Sequence, residues 1–145
     1  MGTDIEARLR RLEDLQAIQQ LFVDYGQHLD AGDVDAYAAL FTEDGELKLG
    51  PLGKAKGREQ IKAVMARSIE GLVGSSFHIV SSPTIRLEGD HASSEVMWTV
   101  VQRGADGKPV LPMIGRHRDE LVRDADGSWR FRVRRGFVDI PSKLG

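Results

Sequence analysis

Residues 77–104 read FHIVSSPTIRLEGDHASSEVMWTVVQRG, two runs rich in β-branched and aromatic residues that meet at Gly89-Asp90. A Gly-Asp pair between such runs predicts a hairpin, because glycine supplies the positive φ that a tight turn needs. The punctuation recurs downstream: ADGKP (105–109) leads into PVLPMIGRHRDELVR (109–123), and DADG (124–127) leads into SWRFRVRRGFVDI (128–140). Four long strands joined by such turns predict consecutive antiparallel hairpins. Pro83 and Pro112 fall inside strand-like runs, where a residue without an N–H marks an edge or a bulge at which the sheet bends.

Upstream the period changes. Ile5, Leu9, Leu12, Leu15, Ile18, Phe22, Tyr25 and Leu29 recur at three- and four-residue steps with charges between them, the pattern of an amphipathic helix. Thr3 or Asp4 is placed to cap its start, Gly32 lies just past its end, and Gly26 is a point where it could break in two. Asp33 is placed to cap a short second helix, DVDAYAALF (33–41), ending at the turn-like TEDG (42–45). A small strand follows at GELKLG (45–50), then a helix at GREQIKAVMARSIE (57–70) whose Ile61, Val64, Met65, Ile69 and Leu72 form one apolar stripe. Helices first and strands afterwards predict a segregated α+β fold, and nothing in the 145 residues divides the chain into more than one domain.

Composition narrows the function classes. A net charge of −2 gives no electrostatic reason to expect nucleic acid or an anionic membrane as partner. There is no cysteine, so a thiol nucleophile or thiolate metal site is impossible. The N-terminus, MGTDIEARLRRLEDL, has no apolar core of a secretory signal, and no apolar run approaches the roughly 20 residues of a membrane helix. A cytoplasmic location is the default expectation. The four histidines show no HxH or HExxH spacing and no phosphate-binding glycine pattern occurs, so neither a metal nor another cofactor is expected.

Four stretches together resemble the SnoaL-like branch of the nuclear transport factor 2-like superfamily: IQQLFVDYGQHLDAGDVDAYAALFTEDGEL (18–47), GREQI (57–61), FHIVSSPTIRLEGDHA (77–92) and GRHRDELVRDADGSWRFRVRR (115–135). The resemblance implies a cystatin-like fold, a cone-shaped curved antiparallel sheet wrapped around N-terminal helices to leave one deep pocket. It also implies an Asp–His pair, with the carboxylate at the end of the first long helix and the histidine opening the first long strand. Asp30 and His78 stand there. Tyr25, five residues before Asp30, matches a tyrosine of related dehydratases and isomerases, and Arg134, five after Trp129, matches an arginine of one member. Other family positions depart: Leu49 stands near the ketosteroid isomerase aspartate, no acid follows Trp98, and Ser82 replaces a frequent asparagine.

These residue types suit proton abstraction from carbon, which needs a base titrating near neutrality and a group to orient it. Imidazole titrates at about 6.5, and a carboxylate on its second nitrogen fixes the tautomer and stabilises the imidazolium. His78 is therefore the expected base, Asp30 its orienting partner, and Tyr25 a hydroxyl donor to a developing oxyanion. Phe22, Met65, Met97, Trp98 and Phe137 are expected to line the pocket, with Arg134 holding an acidic group or enolate and His117 acting as a second acid. Each has a plain alternative: Asp30 as a helix-end residue, Tyr25 as a core tyrosine, and Arg134 on a wet sheet face marked by alternating arginines. Two functions follow from these options. One is a cofactor-independent lyase or isomerase, dehydratase-like, acting on a small hydrophobic alicyclic or aromatic molecule; a polyketide-type cyclase would share its pocket. The other is a non-catalytic binding or assembly module. Under either, the exposed sheet face and the resemblance lead one to expect a homodimer or homotrimer.

Overall fold

The computed structural model describes residues 2–140, with side chains from Asp4 onward. Helix α1 (Gly2–Ala31) is followed by α2 (Val34–Ala38), β1 (Phe41–Lys48), a 3-10 turn (Gly50–Leu52), β2 (Lys54–Lys56) and α3 (Arg58–Ser68). Four long strands complete the chain: β3 (Ser76–Glu88), β4 (His91–Arg103), β5 (Pro109–Arg123) and β6 (Trp129–Ile140). All six strands form one curved, unclosed sheet in the order β2-β1-β6-β5-β4-β3. The expected hairpins are present from β3 to β6, while β1 pairs in parallel with β6. The helices cover one face of this sheet, as the segregated α+β pattern requires.

Both prolines sit where the ladder slips. The β3–β4 register shifts between Ser81 and Thr84, with Ser82 at φ 53, and the β4–β5 register shifts between Val100 and Gln102, opposite Leu111-Pro112. Each slip bends the strand and increases its local twist. A third slip lies between Glu120 and Leu121, where Leu121 pairs with Phe131 and Glu120 with Val133. Arg132 is thus the extra residue of a bulge in β6.

Three expectations about the first half are corrected. α1 is continuous through Gly26, where an added Cβ would meet the Cβ of His78 and the Val80 side chain at ordinary contact range. It begins at Gly2, ahead of Thr3 and Asp4. TEDG is no turn but part of β1, where the pairing with β6 slips between Phe41 and Glu46. Gly45 makes that slip possible: a Cβ there would lie 3.0 Å from Phe41 Cβ and 3.2 Å from the Phe131 carbonyl. Arg58, at the start of α3, donates from Nε and Nη2 to the Phe41 carbonyl (3.0 and 2.9 Å).

The apolar stripe of α1 divides in two. Ile18, Leu21, Phe22, Tyr25 and Leu29 are buried in the core, whereas Ile5, Leu9 and Leu12, nearer the start of the helix, are exposed. Tyr25, Tyr37, Phe41, Phe131 and Phe22 form a chain of tilted rings, with successive centroids 5.4–6.3 Å apart. Burying each is worth about 1.5–3 kcal/mol, and tilted contacts suit the ring quadrupoles. Asp33 caps α2 by accepting from the Ala36 amide at 3.0 Å.

Asp14 locks α1 to the far end of the sheet. Its carboxylate accepts from Trp129 Nε1 at 3.1 Å and from Arg123 Nη2 at 2.8 Å, while the Arg123 guanidinium lies 4.9 Å from the Trp129 ring centroid. Asp14→Ala would leave the indole N–H and part of the guanidinium without partners. A loss of about 1–3 kcal/mol in urea unfolding is expected, and an unchanged midpoint would contradict this account of the contact.

Candidate active site

The site forms where the last turn of α1 meets the first residues of β3. α1 ends because Gly32 adopts φ 77; its amide donates to the Leu29 carbonyl (3.0 Å) and that of Asp33 to His28 (2.8 Å). This left-handed stop leaves Asp30 in the final turn, where the helix dipole disfavours an anion. His78 relieves that cost twice. Its backbone N–H donates to both carboxylate oxygens of Asp30 (3.0 and 3.1 Å), and its ring Nδ1 lies 2.8 Å from Oδ1. A carboxylate facing Nδ1 favours the proton on that nitrogen, leaving Nε2 as the acceptor. Both side chains retain partial exposure, 17% for His78 and 19% for Asp30, so the dyad opens onto a cavity.

That cavity has a volume of about 200 Å³. Asp30, His78, Tyr25 and His117 supply polar groups, and Leu29, Met65, Ile69, Leu72, Trp98 and Met113 are prominent in its apolar wall. Leu52, in the loop GPLGKAKG (50–57), also borders it. Val138, which opens the C-terminal stretch VDIPSKLG (138–145), lines the cavity, while residues 141–145 lie outside the described ones. Among the described residues no lysine or arginine lines the cavity, and no group of three His, Cys, Asp or Glu gathers as a metal site.

Beneath Tyr25 lies a buried cation. Arg134 has no solvent exposure, and its guanidinium carbon sits 4.2 Å from the Tyr25 ring centroid and 4.3 Å from that of Phe131. Its Nε is 3.0 Å from Asp119 Oδ1, a charge contact whose angles are not those of a hydrogen bond. Ser94 donates to the other Asp119 oxygen at 3.0 Å. Burial raises the Asp119 pKa, against the lowering effects of Arg134 and Ser94. Burial also pushes the Tyr25 phenol up to about 12, opposed by Arg134 and assisted by Asp119 and Asp30. His117 is driven well below its ordinary value by burial first, then by the positive fields of Arg134 and His78.

The structure therefore brings Asp30, His78, Tyr25, Met65, Trp98 and His117 together and places four expected residues elsewhere. Phe22 is in the core beside Phe131, behind the cavity wall. Met97 lies on the outer face, because its neighbour Trp98 takes the inner one and strand side chains alternate. Phe137 is also outside, where Arg116 and Arg118 stack on its ring at 5.7 and 5.5 Å. Arg134 points inward, contrary to the wet-face reading, but lies under the floor instead of lining it. The Arg132 bulge accounts for this by shifting side-chain parity, so that Arg134 faces the same way as its β5 partner, Asp119.

Sequence reasoning missed Asp119, whose DE pair looks like ordinary surface charge, and Gly115. Gly115 pairs with Trp98, and a Cβ there would collide with the Phe137 carbonyl and the indole ring. Leu49, read as a departure from a family acid, instead contributes to the apolar lining. Ser82 lies exposed in the β3 slip, away from the cavity.

Known proteins share this arrangement of elements. The family model described as a SnoaL-like domain matches residues 10–135. An uncharacterised Mycobacterium tuberculosis protein is 32% identical over 121 residues, spanning 82% of this chain and 81% of its own. A nuclear transport factor 2-like protein with a cystatin-like fold from Novosphingobium aromaticivorans superposes with a TM-score of 0.86 at 30% identity, covering 94% of this chain and 89% of that one. A second protein of that organism, to which scytalone dehydratase activity is provisionally attributed, gives 0.79 at 25% identity and covers 93% and 90%.

The low His117 pKa couples stability to pH. Below about pH 6.5 the unfolded chain binds a proton that the folded state resists, so stability is full above that value and falls as pH drops. His117→Gln removes this contribution. Its urea midpoint should decline less than that of the wild type between about pH 6.5 and 5; parallel profiles would refute the assignment.

Proposed function

The chain belongs to the SnoaL-like family, and from that membership and the geometry of its cavity we propose that it is a cofactor-independent lyase or isomerase, dehydratase-like in mechanism. The observation that carries this reading is the 2.8 Å Asp30–His78 contact opening onto an apolar cavity. A long separation would have favoured a binding module. His78 Nε2 removes a proton from carbon, Asp30 fixes the ring and stabilises the imidazolium, and Tyr25 donates to the oxygen that gains charge or departs. A cyclisation that begins with the same proton abstraction would use the same residues.

The cavity also shapes the substrate. At about 200 Å³ it exceeds the roughly 150 Å³ that accommodates benzene in an engineered apolar cavity, so one substituted ring or two fused rings fit. With Arg134 enclosed and engaged by Asp119, the lining offers no fixed cation to an acidic substituent. We therefore favour an uncharged, oxygenated or halogenated ring compound. On a substrate found by screening such compounds, His78→Ala should lower kcat about 10²–10⁴-fold while the chain still folds, as circular dichroism checks, and Asp30→Asn should also reduce it strongly. Full turnover in His78→Ala would end this mechanism.

The outer sheet face supports self-association. Phe77, Ile79, Met97, Phe137 and Ile140 are exposed there, beside Glu95, Arg116, Arg118 and Asp139 in mutual ion pairs. An apolar surface bordered by both signs of charge can complement a second copy of itself. Light scattering should report a dimer or trimer that Ile79→Lys converts to monomer, whereas a monomeric wild type would rule out this role.

A further inference from the structure

The histidine on β5 has a separate part in the site. We propose that His117 is a positioning residue whose ring, in the Nε2–H tautomer, donates to the Tyr25 oxygen and so turns the tyrosine's own proton toward the cavity. This deepens the reading of the site as acid–base machinery and rests on it for its catalytic meaning. The structural claim stands or falls separately.

Geometry supplies the contact. Tyr25 Oη lies 3.5 Å from His117 Nε2, at the long end of hydrogen bonding, and the rings meet edge to face with centroids 5.1 Å apart. Such contacts are often long before a ligand binds. A phenol has one proton to give. If it goes to His117, the cavity is offered only oxygen lone pairs; if His117 supplies the proton between them, Tyr25 keeps its own for a substrate oxygen.

Burial chooses between these states. His117 Nδ1 is enclosed and has no hydrogen-bond partner among the described residues. A stranded N–H is a rarer and costlier defect than an under-used acceptor, which places the ring proton on Nε2, where Tyr25 can accept it. The charged groups around the ring hold it neutral. Arg134 on β6 and His78 on β3 oppose protonation, and burial outweighs any help from Asp119 on β5 or Asp30 on α1. A neutral ring with Nε2–H donates without becoming an acid itself. The Tyr25 phenol, held protonated by the same burial, is then the group that meets the substrate.

Long-range proton–nitrogen correlation spectra of the histidine rings in the full-length chain test this without a substrate, with His117 assigned through His117→Gln. We expect the neutral Nε2–H pattern, unchanged from pH 8 to pH 5.5, and a shift of that resonance in Tyr25→Phe, which removes the acceptor. A neutral Nδ1–H pattern, titration of His117 in that range, or an unaltered resonance in Tyr25→Phe would overturn the proposal. The wild-type spectra decide the tautomer even if the variant folds poorly. The His78 ring in the same spectra keeps the two ideas apart: loss of its Nδ1–H bond to Asp30 would undermine the dyad while leaving the His117 result standing.

Discussion

A guanidinium with no exposure to solvent sits at the centre of this molecule, and the chemistry of its neighbours follows from having to accommodate it. Arg134 is flanked by the faces of Tyr25 and Phe131, which offer their negative quadrupoles to the cation. Asp119 supplies the opposite charge and is itself steadied by Ser94. Removing one partner of such a pair strands the other, at a cost of about 3–5 kcal/mol. The cation also reaches upward: its field disfavours a second positive charge on His117 and opposes the burial that keeps Tyr25 protonated.

Above this layer the dyad works by a different rule. Asp30 and His78 keep some access to solvent and are bound through both ring and backbone. The Gly32 stop at the end of α1 and the start of β3 set their separation, so the contact also ties helix to sheet. Two imidazoles thus meet the Tyr25 ring edge to face, at centroid distances of 5.9 and 5.1 Å, in different electrostatic settings. His78 faces a carboxylate. His117 faces a guanidinium and the other histidine. Environments that divide like groups in this way are how one cavity can hold both a proton acceptor and a proton donor.

Sheet irregularities give the cavity its form. Pro83 and Pro112 stand in slips of β3 and β5, Gly115 gives the Trp98 indole room to lie flat, and the Arg132 bulge re-aims the second half of β6. Without the last of these, period-two alternation would point Arg134 to the outer face. The buried cation depends on that single inserted residue, and with it the part of the field that adds to burial in keeping His117 neutral.

Much of the architecture was legible in the sequence because helix and strand periods are local. The apolar stripes of α1 and α3, the Asp-Gly turns and the strand-breaking prolines each declare themselves within a few residues. Asp30, His78 and Tyr25 could be picked out because the stretches around them resemble a known family, whereas composition and periodicity alone leave them as a helix-end acid, a strand histidine and a core tyrosine. Tertiary structure decided what depends on parity and long-range pairing. It turned Arg134 inward, placed Met97 and Phe137 on the outer face, sent Phe22 into the core, and coupled Asp119 to a residue fifteen positions away. A one-residue slip in a strand reverses every side chain beyond it, and its position follows from how β5, β6 and β1 fit together rather than from any short stretch of chain.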